Sequence, residues 1–186
     1  MITLREPCEG LLEAKGSRFL ASVVPITQFD AHLAASRAAH PKANHHVIAW
    51  RRLNEHGQVQ EVAKDDGEPS GTAGQPMLRV LRGQGWIEVG ALVVRYFGGI
   101  KLGTGGLARA YAGAMSEALK HATPIPWVEQ AEALLRAPFD TSAILEREVN
   151  GADGVRILER HFDSAGVRLR VSGPSAHIEA LRERYG

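Results

Sequence analysis

The sequence predicts an α+β chain made of two domains, and three observations carry that prediction. A short apolar run at 91–96 leads through a glycine-rich loop into a helical pattern with one apolar face. Pro124 and Pro126 then interrupt the chain. Beyond them, the hydrophobic pattern predicts the order β-α-β-β-α. We therefore expect a first domain at 1–125 and a smaller second domain at 126–186.

Length, charge and cysteine content exclude several classes of protein. The 186 residues exceed the usual size of one small domain, and the 44% hydrophobic content is enough for a buried core. With 22 basic and 21 acidic residues, no global field attracts nucleic acid or membranes, so a polyanion contact requires a local patch. Cys8 is the single cysteine, which excludes an internal disulfide, and there is no apolar leader or membrane-length stretch. These features predict a cytoplasmic protein without membrane contact.

Hydrophobic periodicity predicts the regular elements of the first domain. Strands are predicted near 10–13, 17–25, 44–53 and 91–96, and helices near 28–39, 76–81 and 104–121. Residues 54–57 are predicted to form a hairpin-like turn. The last helix has apolar residues at i, i+3, i+4 and i+7 spacing, so we expect one of its faces to be buried.

The loop between the strand at 91–96 and the following helix is the most informative part of the chain. Glycine at this density predicts positive φ angles or a close approach of the backbone to another group. Because the loop opens a helix, its N–H groups and the helix dipole favour an anion, typically a phosphate. Thr104 is a candidate N-cap of that helix. The predicted phosphate-binding residues are Arg95, Gly98, Gly99, Lys101, Gly103, Thr104, Gly105, Gly106 and Arg109.

Two known glycine motifs fit this loop poorly. The phosphate loop of nucleoside triphosphatases requires a lysine after the second glycine, whereas Thr104 follows Gly103 directly. The dinucleotide fingerprint is met formally by Gly103, Gly105 and Ala108, but no acidic residue ends the next strand. A remaining alternative is a glycine-rich turn that serves only close packing of the helix on the sheet.

An acidic loop at 64–76 is the second informative stretch. Asp65, Asp66 and Glu68 are candidate ligands of magnesium, a hard divalent cation that prefers oxygen ligands. Their spacing differs from that of a calcium loop, and Asp-Gly and Glu-Pro are common in turns. The alternative is that Asp65 and Asp66 cap turns while the glycines allow tight packing. No other cofactor is predicted.

The histidine pair at 45–46 is predicted to lie on a strand, with its two side chains on opposite faces. One imidazole is then buried and satisfied, and the other lines a cleft beside the glycine loop. A general acid/base pair with Asp65 or Asp66 is conceivable, but no nucleophile motif accompanies it. The residues predicted to line this cleft are His45, His46, Asp65, Asp66, Glu68, Ser70 and Thr72.

The second domain shows alternating strands and short helices. Strands are predicted at 131–137, 155–162 and 167–171, and helices begin after the candidate caps Asp140 and Ser175. The order β-α-β-β-α is that of a ferredoxin-like fold that lacks its last strand. An uncovered strand edge is able to pair with another chain.

Four segments of the chain together resemble the bacterial members of the IMPACT family. They are K-G-S-R-F-L-A at 15–21, H-P-K-A-N-H-H at 40–46, D-D-G-E-P-S-G-T-A-G at 65–74 and R-Y-F-G-G-I-K-L-G-T-G-G-L-A-R-A-Y at 95–111. The likeness covers about residues 9–123. Val94 stands where the family often has threonine, and Ala63 and Lys64 precede the acidic loop where a serine is usual. Neither departure touches the glycine core.

The resemblance implies a fold for each domain and a link to translation. It implies that the first domain has the βαβ-type fold of the second domain of a small-subunit ribosomal protein. It also implies that the second domain is related to domains of elongation factor G. Eukaryotic relatives regulate translation through protein contacts, using an additional N-terminal domain that this chain lacks. The ribosomal fold also occurs in small-molecule kinases, so fold alone does not decide the function.

Three functions remain open from the sequence. The favoured interpretation is a translation-associated regulator that binds nucleic acid, RNA or the ribosome, with the glycine loop gripping phosphate and the smaller domain extending the surface. The second is a regulator that binds a protein partner without contact to nucleic acid. The third is an enzyme that acts on a phosphorylated small molecule with magnesium on the acidic loop. Because no catalytic base or nucleophile motif accompanies the loop, the sequence favours a role other than catalysis.

Overall fold

The computed structural model describes residues 1–186, which separate into two compact units, Met1–Trp127 and Val128–Gly186. The strands of the first unit are β1 (Ile2–Thr3), β2 (Cys8–Ala14), β3 (Ser17–Pro25), β4 (His45–Leu53), β5 (Val59–Lys64), β6 (Val89–Tyr96) and β7 (Ile125–Pro126). Its helices are α1 (Ile26–Ala39), α2 (Gly74–Gly83) and α3 (Gly103–Lys120). The predicted combination of helices and sheets is confirmed.

A five-stranded antiparallel sheet in the order β2-β3-β6-β4-β5 organises the first unit. Strands β3 and β4 both pair with β6 and therefore run parallel to each other, with α1 connecting them. Alternation along β3 separates two layers. Phe19 and Ala21 belong to the main core with α2 and α3, whereas Leu20 and Val24 pack on the other face with Phe29 of α1. Strand β6 thus packs against α3 in the main core, and the loop that follows β6 leads into that helix.

Several elements differ from the sequence-based expectation. The strand β5 was not predicted, because its sequence V-Q-E-V-A-K is half polar and lies between a turn and the acidic loop. Residues 125–126 were predicted as part of a linker, but they pair with Ile2 and Thr3 as a short antiparallel ladder. Such two-residue strands carry no periodic signal and are not detectable from the sequence.

The second unit contains β8 (Gln130–Ala137), α4 (Ser142–Gly151), β9 (Arg156–Asp163), β10 (Gly166–Pro174) and α5 (Ser175–Tyr185). Its strands form an antiparallel sheet in the order β8-β10-β9. The inward residues of β8 and β10 pack with Leu145 of α4 and with Ile178 of α5. The order of elements is the one predicted.

The three predicted helix caps are wrong. Helices α3, α4 and α5 follow the cap residues Leu102, Thr141 and Pro174, and none of these helices has a side-chain cap hydrogen bond. Thr104, Asp140 and Ser175 therefore do not satisfy first-turn N–H groups, although their residue types favour that role. No helix of the chain is both long and apolar enough to cross a membrane.

Candidate glycine-loop site

The loop at 97–102 connects β6 to α3 and is exposed along its length, apart from the half-buried Leu102. Phe97 and Ile100, two large apolar residues of the loop, are 47% and 57% exposed. Gly99 and Gly103 have φ values of 88° and 73°, a region that L side chains rarely adopt. These two glycines are therefore required by the path of the loop itself.

The remaining glycines of the loop have different roles. A Cβ built on Gly98 would lie 1.9 Å from the carbonyl carbon of Gly16, so the loop packs against the β2–β3 turn there. A Cβ on Gly106 would lie 3.0 Å from Cβ of Leu102. At Gly105 φ is ordinary and the nearest atom is the tip of the Arg109 side chain at 3.4 Å. Neither packing nor backbone conformation explains this glycine, which lies on the exposed first turn of α3.

The first turn of α3 carries unpaired donors beside two cations. No side chain caps the helix, so the N–H groups of its first turn have no partner within the helix or from a capping residue. Lys101 and Arg109 are exposed, and neither takes part in a salt bridge. The helix dipole adds positive potential at the same end. The arrangement is suited to binding an anion.

Arg95 is buried, unlike Lys101 and Arg109, although the sequence predicts all three as phosphate-binding residues. Its side chain is only 6% exposed, and its Nη1 donates to Oε1 of Glu68 at 2.5 Å. The guanidinium also lies 5.4 Å from the ring centre of Phe19 and 5.6 Å from that of Phe97. Arg95 therefore forms a buried ion pair with Glu68, and it contacts the glycine loop through the hydroxyl of Ser17.

Glu68 is the centre of a buried polar cluster that links the acidic loop to the glycine loop. Its Oε1 also accepts a hydrogen bond from the Tyr111 hydroxyl at 2.7 Å. Arg95 Nη2 reaches Ser17 Oγ at 3.4 Å, and the same Oγ accepts from the N–H of Gly98 at 3.1 Å. Burial, and then the Glu68 hydrogen bond, raises the pKa of Tyr111, so the hydroxyl stays protonated and donates. Through this chain of contacts the acidic loop braces the glycine loop.

Each carboxylate of the acidic loop accepts hydrogen bonds from a different set of protein groups. Asp65 accepts hydrogen bonds from the N–H groups of Gly71, Ala73 and Gly74 at 2.8, 3.1 and 2.8 Å. Asp66 has a positive φ of 48° and accepts from the N–H of His46 at 2.6 Å.

The contacts of Asp65 match the turn-capping alternative from the sequence, whereas the Asp66 carboxylate accepts from strand β4, so a turn-capping role for Asp66 is wrong. Glu68 faces Arg95 and Tyr111, so the three carboxylates do not converge. No group of three or more His, Cys, Asp or Glu side chains is arranged to hold a metal ion. Ser70 is exposed, and the Thr72 hydroxyl donates to the Pro69 carbonyl, which leaves neither as an activated nucleophile.

The two adjacent histidines lie on opposite faces of β4, as predicted. His45 is opposite Arg95 and points toward the acidic loop, where its Nδ1 donates to the Asp66 carbonyl at 2.7 Å and its Nε2 lies 3.7 Å from Glu68. His46 is opposite Val94 on the α1 side, and its Nε2 is buried without a partner. Burial lowers the pKa of His46. Both histidines are half-buried and this Nε2 has no partner, so the expectation of one buried and satisfied imidazole is wrong.

Three residues of the site were not predicted as functional. Ser17 is a fully buried polar residue on the core face of β3, Tyr111 is fully buried on α3, and Phe97 is an exposed aromatic residue of the loop. The sequence contained a signal for Ser17 and Tyr111. Ser17 is two residues before Phe19 on a strand, and Tyr111 is four residues after Leu107 on a helix, so each side chain is expected on the buried face. A hydroxyl group in the core requires a hydrogen-bond partner.

The chain is similar to known proteins over most of its length. A family model described as the Impact N-terminal domain matches residues 15–119, which include both loops. The chain is 40% identical to "IMPACT family member YigZ" of Escherichia coli (strain K12) over 169 residues, or 89% of this chain and 82% of the relative.

Solved structures show a similar chain. One, described as "Crystal structure of an hypothetical protein", is 34% identical with a TM-score of 0.72 and covers 98% of this chain and 89% of its own. A structure of the translational regulator Yih1 is 22% identical over 65% of this chain and 47% of its own, with a TM-score of 0.36, an overlap too small to carry over any property. On the family model and the sequence identity, the chain belongs to the IMPACT family.

Proposed function

We propose that this protein is a translation-associated regulator that binds RNA through its glycine loop. The link to translation rests on its family, whose eukaryotic members regulate translation. Binding to RNA rests on the local chemistry of the loop, because the nearly balanced overall charge supplies no long-range attraction.

The observation that carries this proposal is the convergence of unpaired donors and cations at the start of α3. Gly105 lies on the uncapped first turn, where the exposed Arg109 reaches to 3.4 Å from the position of its Cβ, and the exposed Lys101 precedes the same turn in the sequence. A glycine without a packing or conformational role allows a phosphate to approach the backbone closely. Phosphate contacts of this kind supply most of the affinity of proteins for nucleic acids.

The apolar residues of the loop favour a nucleic acid over a free phosphate. Phe97 and Ile100 precede the cation Lys101 in the loop, and each residue is about half exposed. An aromatic ring beside a basic loop is suited to stacking with an unpaired base.

The same apolar pair also supports the second candidate function, docking of a protein partner, for which the cations supply specificity. The third, a magnesium-dependent enzyme, has less support because the carboxylates are bound to protein groups.

Fluorescence anisotropy with labelled single- and double-stranded RNA and DNA, measured across a salt series, tests the proposal. We expect binding that weakens with salt, and a Lys101→Ala, Arg109→Ala double variant whose salt slope is lower by about one to two. Lys42→Ala, Lys120→Ala is a matched control, since it removes the same net charge elsewhere on the surface. Absence of binding to every nucleic acid at low salt would contradict the proposal and favour a protein partner.

A further inference from the structure

A groove of about 370 Å³ lies beside the glycine loop, between the end of β2 and the first turns of α3. Its apolar lining comes from Leu12 and Ala14 on one side and from Leu102 on the other. Gly106 contributes bare backbone to the same lining. The volume falls in the range typical of sites for small molecules, and it is sufficient for one nucleobase with its ribose.

Two cations stand at the opening of this groove. Lys15 lies on the β2–β3 turn and Arg109 on α3, and both are exposed members of the lining. The lining also contains the exposed Glu13, whose carboxylate lies 3.8 Å from Arg18 Nε. The position of Lys15 is set by the turn, in which it has a φ of 47° and is followed by Gly16 at 78°. That turn contacts Gly98 of the glycine loop, where a Cβ would lie 1.9 Å from the Gly16 carbonyl carbon. The groove and the anion-binding end of α3 are therefore parts of one continuous surface.

The chemistry of the lining identifies the occupant. An apolar slot with cations at its rim is complementary to a flat apolar group that carries a phosphate, as a nucleotide does. Bases inside a duplex are paired and stacked, so only an unpaired base can leave its neighbours and enter such a slot. We propose that the groove takes one unpaired base of a single-stranded nucleic acid, while Lys15 and Arg109 hold the adjoining phosphates. This inference rests on the proposed function and specifies its ligand as single-stranded.

Filling the groove without changing its charge tests the inference. The variant Ala14→Trp places an indole in the slot and leaves Lys15, Lys101 and Arg109 in place. We expect its affinity for a single-stranded RNA oligonucleotide to fall about tenfold, because the base loses its contacts, while affinity for the duplex changes by less than about twofold. Ala165→Trp, on an exposed turn of the second unit, is the matched control. Equal affinity of Ala14→Trp and the natural protein for the single strand would overturn the inference.

Photo-crosslinking of the natural protein provides a readout that does not depend on the folding of a variant. A single-stranded oligonucleotide that contains 4-thiouridine is irradiated with the protein, and the crosslinked peptides are mapped by mass spectrometry. We expect crosslinks within 12–15 and 102–110. If the oligonucleotide crosslinks to the glycine loop at 97–101 and not within 12–15 or 102–110, the groove assignment is wrong and the proposed function stands. If it crosslinks to neither region, both are wrong. If no oligonucleotide binds at all, the proposed function itself fails.

Discussion

At the scale of single residues, the buried pair of Glu68 and Arg95 connects the acidic loop to the start of the glycine loop. Two charges with side chains only 4% and 6% exposed are costly to bury, and they are tolerated because each is paired. Tyr111 adds a hydroxyl donor to the same carboxylate oxygen. The pair joins the acidic loop to β6 at the point where the glycine loop begins. These contacts hold the loop in place, and the anion contacts that we propose are assigned to the exposed Lys101 and Arg109.

Replacing Glu68 by alanine measures how much the ion pair contributes to the stability of the protein. Glu68→Ala leaves Arg95 buried without its anion, so we expect the free energy of unfolding to fall by about 3–5 kcal/mol. Denaturant unfolding monitored by circular dichroism gives this value. Glu117→Ala is the matched control, because Glu117 forms an exposed ion pair with Lys120 that contributes about 0–1 kcal/mol. Similar losses in the two variants would show that Glu68 is not a structural centre.

At the scale of elements, the glycine loop combines two kinds of glycine. At Gly98 a side chain would clash with the backbone of the β2–β3 turn, whereas at Gly105 the only close atom is the tip of the flexible Arg109 side chain. Packing therefore explains the first glycine, and the proposed close approach of a phosphate accounts for the second. The sequence shows only that glycine is frequent in this segment.

Alanine at each position separates the two explanations. We expect Gly98→Ala to destabilise the protein by about 1–3 kcal/mol or more, because the added methyl group meets backbone. Gly105→Ala is expected to leave stability unchanged or to raise it by about 0.5–1 kcal/mol, since alanine favours a helix, while RNA affinity falls. Thermal unfolding and anisotropy measured on the same samples provide both values. If Gly105→Ala binds RNA as well as the natural protein, close approach of a phosphate at that position is excluded.

The sequence predicted some elements of this site and not others, for identifiable reasons. The strand–loop–helix junction was predictable, because β6 and α3 have clear periodicity and the glycines mark the loop between them. The separation of Arg95 from Lys101 and Arg109 was not, since it depends on a contact with Glu68, which is 27 residues away along the chain. The predicted helix caps were wrong for a related reason, because a favourable residue type does not fix the position at which a helix begins.

At the scale of the whole molecule, both units carry exposed cations, and some of these cations are paired with carboxylates. In the second unit, Arg170 lies between Glu132 and Glu159 at 3.1 and 3.0 Å, and Arg168 pairs with Asp163 at 2.9 Å. Arg168 and Arg170 are therefore paired with carboxylates, whereas Arg136, Arg147 and Arg156 of the same unit are exposed and form no salt bridge. That the smaller domain extends a phosphate-binding surface stays a prediction. The ferredoxin-like description of that unit, and its relation to elongation factor G, remain predictions.

Amide NMR spectra recorded while a single-stranded RNA oligonucleotide is added at low salt test the central claim most directly. If the glycine loop grips phosphate, the N–H signals of Gly99, Gly103, Gly105 and Gly106 shift as the oligonucleotide binds, and those of β10 do not. If RNA binds and these four signals stay in place, the glycine loop is not the phosphate site.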